Sequence, residues 1–525
     1  MTLDSLAAAL LVGAAIVLIS ILGVRFAGRL GVPGLLLYLG LGLALGTTFE
    51  ALNFQDAELA AVLGYVALIL ILAQGGLTTR MTELRPVLWP AITLASVGVL
   101  VSIAVVSVPL IFLAGMSSHN ALLLASVLAA TDAAAVFSVL RKLKLSPRLR
   151  TILEAEAGFN DAPVVVLVSV VASGAFGDEP WWLIAIRILV ELVGGALVGI
   201  AGGYLSRWLL PRLALPAVGL YPIAAMALLI GIFASASVLQ VSGFMAVYVG
   251  AVLMGSALHI PHRRSIIGFA DGLAWISEIG LFVMLGLLAD VHRLPAVIGI
   301  AAVAGLALVL VARPLAAFVS LTPFRWGLRE RIFVGFAGLR GAVPIVFAAI
   351  PLGLGLAGAT EVFDATLIVV LVLLIVQTPF LPAVARRLGL TLSAEASEFN
   401  IESAPLDQMN AVMLALDVPK GSGLVGVYIS ELGLPRGAVV SLIIRDNEPL
   451  TIDTHSRFRA LDSFLVVCPG EVRIAAEERL RLVAKDGQLA TWIEDRLPPE
   501  RQPIAKPSWP RQAMTWVSEV VERAR

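Results

Sequence analysis

Charge is what this chain has least of. Of 525 residues, Lys, Arg, Asp and Glu make up 14%, against 59% hydrophobic, and mean hydropathy is +0.95. Soluble domains carry about 25% charged residues, so a water-facing surface along the whole length is excluded. Cysteine is almost missing: Cys468 stands alone, which excludes an intrachain disulfide and a cysteine metal cluster. The five histidines, His119, His259, His262, His292 and His455, fall at the ends of apolar runs or in soluble sequence, so no metal site is expected. There is no His-Glu-x-x-His and no paired nucleophile and base of an intramembrane enzyme. A Thr-Val-Gly-Tyr-Gly filter of the kind a carbonyl-lined channel uses is also absent. The net charge of zero averages two unlike parts and says nothing of partners; nucleic acid is not expected among them.

What is present is apolar sequence in long runs. Thirteen fit the length of a membrane-crossing helix, near 5–24, 33–48, 57–76, 87–114, 120–140, 150–173, 181–209, 217–239, 242–258, 266–289, 294–320, 331–354 and 364–385. Met1-Thr2-Leu3-Asp4 lacks the basic stretch of a cleavable signal, so the first run is expected to be retained. Loops after odd-numbered spans are basic, as in Arg141, Lys142, Lys144, Arg148 and Arg150, or Arg325, Arg329 and Arg331. Loops after even-numbered spans hold Arg293 and acids such as Glu50, Asp56, Asp178, Glu179, Asp290 and Glu361. Positive residues inside then place the N-terminus outside the cytoplasm and the C-terminal part within it.

Thirteen spans divide as six, one and six, and the two sets of six begin on opposite sides. The predicted fold is an all-α polytopic membrane protein with 13 transmembrane helices in a 6+1+6 inverted repeat, followed by a small α/β cytoplasmic domain. Inverted repeats place their sites on broken helices at the midplane. Two spans at equivalent places are breakable: the fifth, with Ala130-Thr131-Asp132-Ala133, and the twelfth, with Gly338-Leu339-Arg340-Gly341-Ala342-Val343-Pro344. Glycine and proline weaken the helix in the latter. Asp132 is expected to cap the second half of its own span, and Arg340 to face carbonyls of its own span.

The sixth span carries the sharpest signal, Glu154-Ala155-Glu156-Ala157-Gly158-Phe159-Asn160-Asp161 inside apolar sequence. A carboxylate at bilayer depth marks function by default. Asp161 and Glu156 are five positions apart, pointing roughly 140° from each other on a helix. Asn160 shares the face of Glu156, so Glu156, Asn160 and Arg340 are expected to form a buried network with Glu156 and Arg340 as its ion pair. Asp161 remains as the free carboxylate that exchanges a proton for a cation. Glu154 lies on the face of Asp161, about 10.5 Å along the axis, as a candidate funnel acid; alternatively Thr151-x-x-Glu154 is a capping box at a helix start. Glu278 and Arg313 read as a structural pair, and Arg187 with Glu191 as an i,i+4 pair.

These residues resemble the cation:proton antiporters, in the NhaP and sodium/proton-exchanger branch. The resemblance rests on Thr131-Asp132, an acid five residues before Asn160-Asp161, and Gly338-Leu339-Arg340-Gly341, and it covers residues 1–390. It implies electroneutral exchange of one monovalent cation for one proton by alternating access, in a homodimer in a bacterial plasma membrane. It implies Asp161 as the cation and proton site, Thr131 as a backbone ligand, Asp132 and Asn160 as shapers of the crossing, and Glu278 as a pH-sensitive group. The branch has a serine where this chain has Ala157, which leans toward potassium over sodium or lithium. A regulated cation channel is the alternative of a different class.

Beyond residue 390 the chain is ordinary soluble sequence. Residues 400–490, with Gly426-Val427-Tyr428-Ile429-Ser430-Glu431-Leu432-Gly433 and Ala460-Leu461-Asp462-Ser463-Phe464, resemble the TrkA-C regulatory module found in potassium/proton antiporters. Residues 426–467 read as strand, short helix, turn, strand, turn, strand. The resemblance implies a nucleotide as candidate ligand, although this part holds no Gly-rich phosphate loop; no other cofactor is expected. Residues 471–495 read as an amphipathic helix, and 491–525 as a tail with a proline-rich linker.

Overall fold

The structure, a computed structural model, describes residues 3–30, 34–48, 56–132, 135–136, 143, 145–174, 180–257, 260–391, 401–406, 411–419, 421–445, 448–450, 456–469 and 472–487. It divides into two units, Met1–Leu392 and Ser393–Arg525.

The first unit is helical throughout. Its elements are α1 (Leu3–Leu30), α2 (Gly34–Thr48), α3 (Ala57–Thr78), the segmented α4 (Met81–Phe112), α5 (Ser118–Ala129), α6 (Pro147–Ala172) and α7 (Trp181–Leu209). They continue with α8 (Leu220–Val238), α9 (Gly243–Gly255), α10 (Arg263–Leu288), the segmented α11 (Leu294–Phe324), α12 (Leu328–Ala337), α13 (Ala342–Gly353) and α14 (Ala359–Arg387). Among the described residues, eight helices are long and apolar enough to cross a membrane, or nine with the pair α12 and α13 as one span bent by 48°. α2, α5 and α9 are shorter apolar helices. Their backbones satisfy themselves internally, as a bilayer demands.

Two bundles form within this unit. α2, α3, α7, α8, α9 and α10 pack on one another, and α4, α5, α6, α11, α12, α13 and α14 on one another. Small residues set the spacing: a Cβ on Gly195 or Gly199 of α7 would strike the carbonyls of Ser242 and Ala246 beside α9, the close approach that small-xxx-small spacing permits. Contacts across the bundles run from α3 to α13 and from α9 to α6. The sequence predicts this all-helical membrane part. It also predicts a helix start at Thr151, and here the structure differs: α6 begins at Ser146, whose hydroxyl accepts from the Leu149 amide, with Pro147 at the first helical position. Glu154 is therefore inside the helix, not in a capping box.

The second unit is a five-stranded antiparallel sheet with a helix against it. The strands β1 (Ile401–Leu406), β2 (Ala411–Asp417), β3 (Val439–Arg445), β4 (Glu448–Leu450) and β5 (Ser463–Pro469) stand in the order β1-β2-β5-β3-β4. Alternation makes β5 amphipathic, with Phe464, Val466 and Cys468 buried, and α15 (Arg473–Asp486) packs Ala476, Leu480 and Val483 into the same core. The strand expected at Gly426 is absent, because Gly426 has φ +90°, and Tyr428 makes only an isolated bridge to Arg457. α15 is described from Arg473 to Asp486; residues 488–495 of the expected helix and the proline-rich linker lie outside the described residues.

A buried ion pair ties this sheet to its loop. Arg445 holds both oxygens of Asp462 at 2.8 Å, and the Arg459 amide donates to the same carboxylate at 2.7 Å. Burial alone would push the Asp462 carboxyl up, but the hydrogen bonds and charges of Arg445 and Arg459 outweigh it and hold it below its usual value. A depressed carboxyl stabilises the fold above its unfolded value, about 3.9, and loses that contribution as pH falls through the folded value. We expect Asp462→Asn to destabilise the second unit by about 1–3 kcal/mol at neutral pH, read by hydrogen exchange of the sheet amides in the full chain. The gap to wild type should close on acidification; a gap that persists at the lowest pH contradicts the assignment.

Candidate functional site

Five helices, α5, α6, α11, α12 and α13, bring the polar residues of the apolar unit together. α5 stops at Ala129, and Ala130 turns extended at ψ 137°. α12 stops at Ala337, and Gly338 to Gly341 run unwound until α13 starts at Ala342. The two interruptions cross and exchange bonds. The Asp132 amide donates to the Leu339 carbonyl at 3.2 Å. The Asp132 carboxylate accepts from the Ala342 amide at 2.6 Å and the Ala135 amide at 3.3 Å, so one side chain caps the starts of two half-helices, where the helix dipole favours negative charge. In return, Arg340 donates to the carbonyls of Ala129 and Ala130, the orphan acceptors at the end of α5. Gly341 is required for this fit, since a Cβ there would overlap Asp132 Oδ2.

Arg340 thus serves the carbonyls of the opposite broken span, not its own. The expected Glu156–Arg340 ion pair is also corrected. Glu156 pairs with Arg313, at 2.6 Å from Nη1 to Oε1 and 3.4 Å for the second bond, with both groups buried. Arg313 reaches it past Gly338, whose missing side chain leaves room for the guanidinium. For the same reason the expected Glu278–Arg313 pair does not form; Glu278 is buried on α10, near Tyr38. Arg313 therefore takes the place expected of Arg340 beside Glu156. Its signal, a lone arginine in an apolar span, was visible, but its partner depends on helix packing.

Asn160 on α6 donates to the Ala129 carbonyl at 3.1 Å and to Thr131 Oγ1 at 3.0 Å, so the α6 helix is pinned to the end of α5. One residue on, Asp161 is 1% exposed, and neither carboxylate oxygen has a hydrogen-bond partner among the described residues. The charged group acting on it is another carboxylate, Asp132. Asp161, Asp132, Thr131 and Asn160 therefore stand together, with Glu156 one turn away in its own pair. Glu154 pairs with Arg150 at 2.7 Å, and Arg187 with Glu191 at 3.2 Å as expected. A buried carboxylate without donors is satisfied by one proton or by one cation, and either excludes the other.

Comparison with known proteins gives the same direction. A profile of the family described as sodium/hydrogen exchanger, transmembrane, matches residues 14–387. The chain is 33% identical over 465 residues to the K(+)/H(+) antiporter NhaP of Alkalimonas amylolytica, covering 86% of this chain and 79% of that protein. It is 33% identical over 458 residues to the K(+)/H(+) antiporter NhaP2 of Shewanella sp. strain MR-4, covering 85% and 79%. In fold it resembles the solved structure of the sodium proton antiporter MjNhaP1 from Methanocaldococcus jannaschii at pH 8, with TM-score 0.64 and 22% identity over 73% of this chain and 99% of the other.

The pairing can be measured by a double-mutant cycle. Glu156→Gln or Arg313→Gln alone leaves a buried charge unmatched, at a cost of about 3–5 kcal/mol, and the double variant should cost less than the sum. Glu156 should couple less to Arg340 than to Arg313 in thermal unfolding of the purified protein. Additivity with Arg313 and coupling with Arg340 would reverse the assignment.

Proposed function

The chain belongs to the sodium/hydrogen exchanger family, membrane antiporters that exchange a monovalent cation for a proton and not enzymes, and from that premise we propose that its exchange runs through Asp161 and its cation is potassium. The observation that carries the reading is the pair of buried Asp161 oxygens without a donor among the described residues. Thr131, Asp132 and Asn160 complete the surroundings of the ion, while Asp132 is held in place by its two helix caps. With Asn160 neutral beside it, Asp161 alone trades charge, so one cation leaves for one proton and the exchange is electroneutral.

Potassium is favoured by Ala157, which offers no hydroxyl ligand one turn before Asp161, and by relatives at 33% identity named as K(+)/H(+) antiporters. The sodium reading has a more distant relative behind it, a probable Na(+)/H(+) antiporter 2 of Methanocaldococcus jannaschii at 27% identity. The fuller architecture we propose is thirteen crossings in an inverted repeat, as a homodimer in a bacterial plasma membrane, with the N-terminus outside and the second unit in the cytoplasm. Glu154 then lines the cytoplasmic funnel, and Glu278 adjusts the response to pH. The second unit acts as a TrkA-C-like regulator. Its cleft of about 560 Å³, lined by Tyr428, Arg445, Arg457 and Arg459 among others, suits the phosphate of a nucleotide.

Reconstituted protein should exchange potassium for protons, and Asp161→Asn should abolish exchange. A membrane potential of about 100 mV, worth about 2.3 kcal/mol per net charge moved, should drive no uptake. Deleting residues 400–525 should leave exchange measurable with altered activation. Exchange of sodium or lithium without potassium would overturn the ion; normal exchange by Asp161→Asn would overturn the site.

A further inference from the structure

One turn before Asp161, its helix is met by an aromatic residue of the other bundle. On α6, Glu154, Gly158 and Asp161 follow at spacings of four and three and so share one stripe of the helix surface. Glu154 meets water through its pair with Arg150, whose side chain is 48% exposed, whereas Asp161 is 1% exposed. Whatever passes along this stripe between them crosses the level of Gly158.

That level is filled by Tyr248 of α9. Its Cε2, Cζ and hydroxyl lie where a Gly158 Cβ would stand, and its ring, fully buried, meets Phe159 edge-on at 5.1 Å. The α9 backbone at Tyr248 rests against Gly76 of α3, so the ring is carried by the bundle that does not hold Asp161. The Tyr248 hydroxyl lies by Thr79, and among the described residues no full hydrogen-bond geometry fixes it. The ring is held chiefly by its packing on Gly158 and Phe159, and its withdrawal costs at most the contact with Thr79.

We infer that Tyr248 is the gate on the Glu154 side of Asp161, closed when its ring covers Gly158 and opened when one bundle shifts against the other. The inference deepens the reading of Asp161 as the exchange site. Bare Gly158 is the seat of the gate, and the aromatic ring rather than the hydroxyl does the blocking.

The test uses the full chain in membrane vesicles with Cys468→Ala and a reporter, Ala162→Cys, four residues after Gly158 on the same stripe. A small charged methanethiosulfonate is applied from each face, and labelling of Arg150→Cys identifies the face nearer Glu154. With Tyr248 present the reporter should label slowly. Tyr248→Ala should label about tenfold faster from the Glu154 face, because a residue that sequesters the site is gone, while Tyr248→Phe stays slow. Gly158→Ala, which pushes the ring off its seat, should also label faster and replaces Tyr248→Ala if that variant does not fold. Unchanged labelling in folded Tyr248→Ala or Gly158→Ala, acceleration from the opposite face, or a Tyr248→Phe as fast as Tyr248→Ala would overturn the gate. Labelling does not require transport, so it stands even if Asp161→Asn proves active and the exchange site is reassigned.

Discussion

Everything at the centre of the apolar unit depends on one requirement: two helices stop inside a medium that offers no water to their free backbone ends. Each unsatisfied group there costs several kcal/mol. The solution is reciprocal. Asp132 supplies acceptors to the amide ends of two half-helices, and Arg340 supplies donors to the carbonyl end of α5. The crossing holds only because Gly341 leaves room for the Asp132 carboxylate. Remove either charged side chain and the other broken span loses its cap, which ties the two interruptions into one element.

Once those duties are assigned, the charges around the crossing leave a remainder. Asp132, Glu156, Asp161, Arg313 and Arg340 are all buried, three acids against two bases. Asp132 and Arg340 face helix ends, Glu156 and Arg313 face each other, and Asp161 faces neither. One unmatched negative charge can take one proton or one monovalent cation, which is the basis of the electroneutral exchange proposed above. The structural pairs fix the scaffold, and in the proposed exchange only Asp161 changes its occupant. Burial of that group is also why the proposed gate matters, since an ion reaching it must pass packed side chains.

Much of this was legible in the sequence, for a plain reason: a charged residue in an apolar run has few explanations. Asp161, Asp132 and Arg340 stood out individually, and helical spacing separated the faces of Glu156 and Asp161. What the sequence could not supply was partner choice across helices. Glu156 had two arginines available, Arg313 and Arg340, and the choice rests on the room left by Gly338, a packing fact. Tyr248 gave no signal at all, because an aromatic residue in an apolar helix is ordinary until its neighbour proves to be Gly158. The start of α6 was missed although Ser146-Pro147 is a good start signal, since Thr151-x-x-Glu154 competes with it. In the second unit, alternation located β3 and β5, but the left-handed Gly426 turned the expected first strand into a turn.

The central claim is that a proton and a cation compete for the single Asp161 carboxylate. Its most direct measurement is proton release on adding potassium to purified protein in weakly buffered solution, at a pH where Asp161 is protonated. The account predicts one proton released per potassium bound, and none from Asp161→Asn. Saturable potassium binding with no proton release, or release that survives in Asp161→Asn, would contradict it.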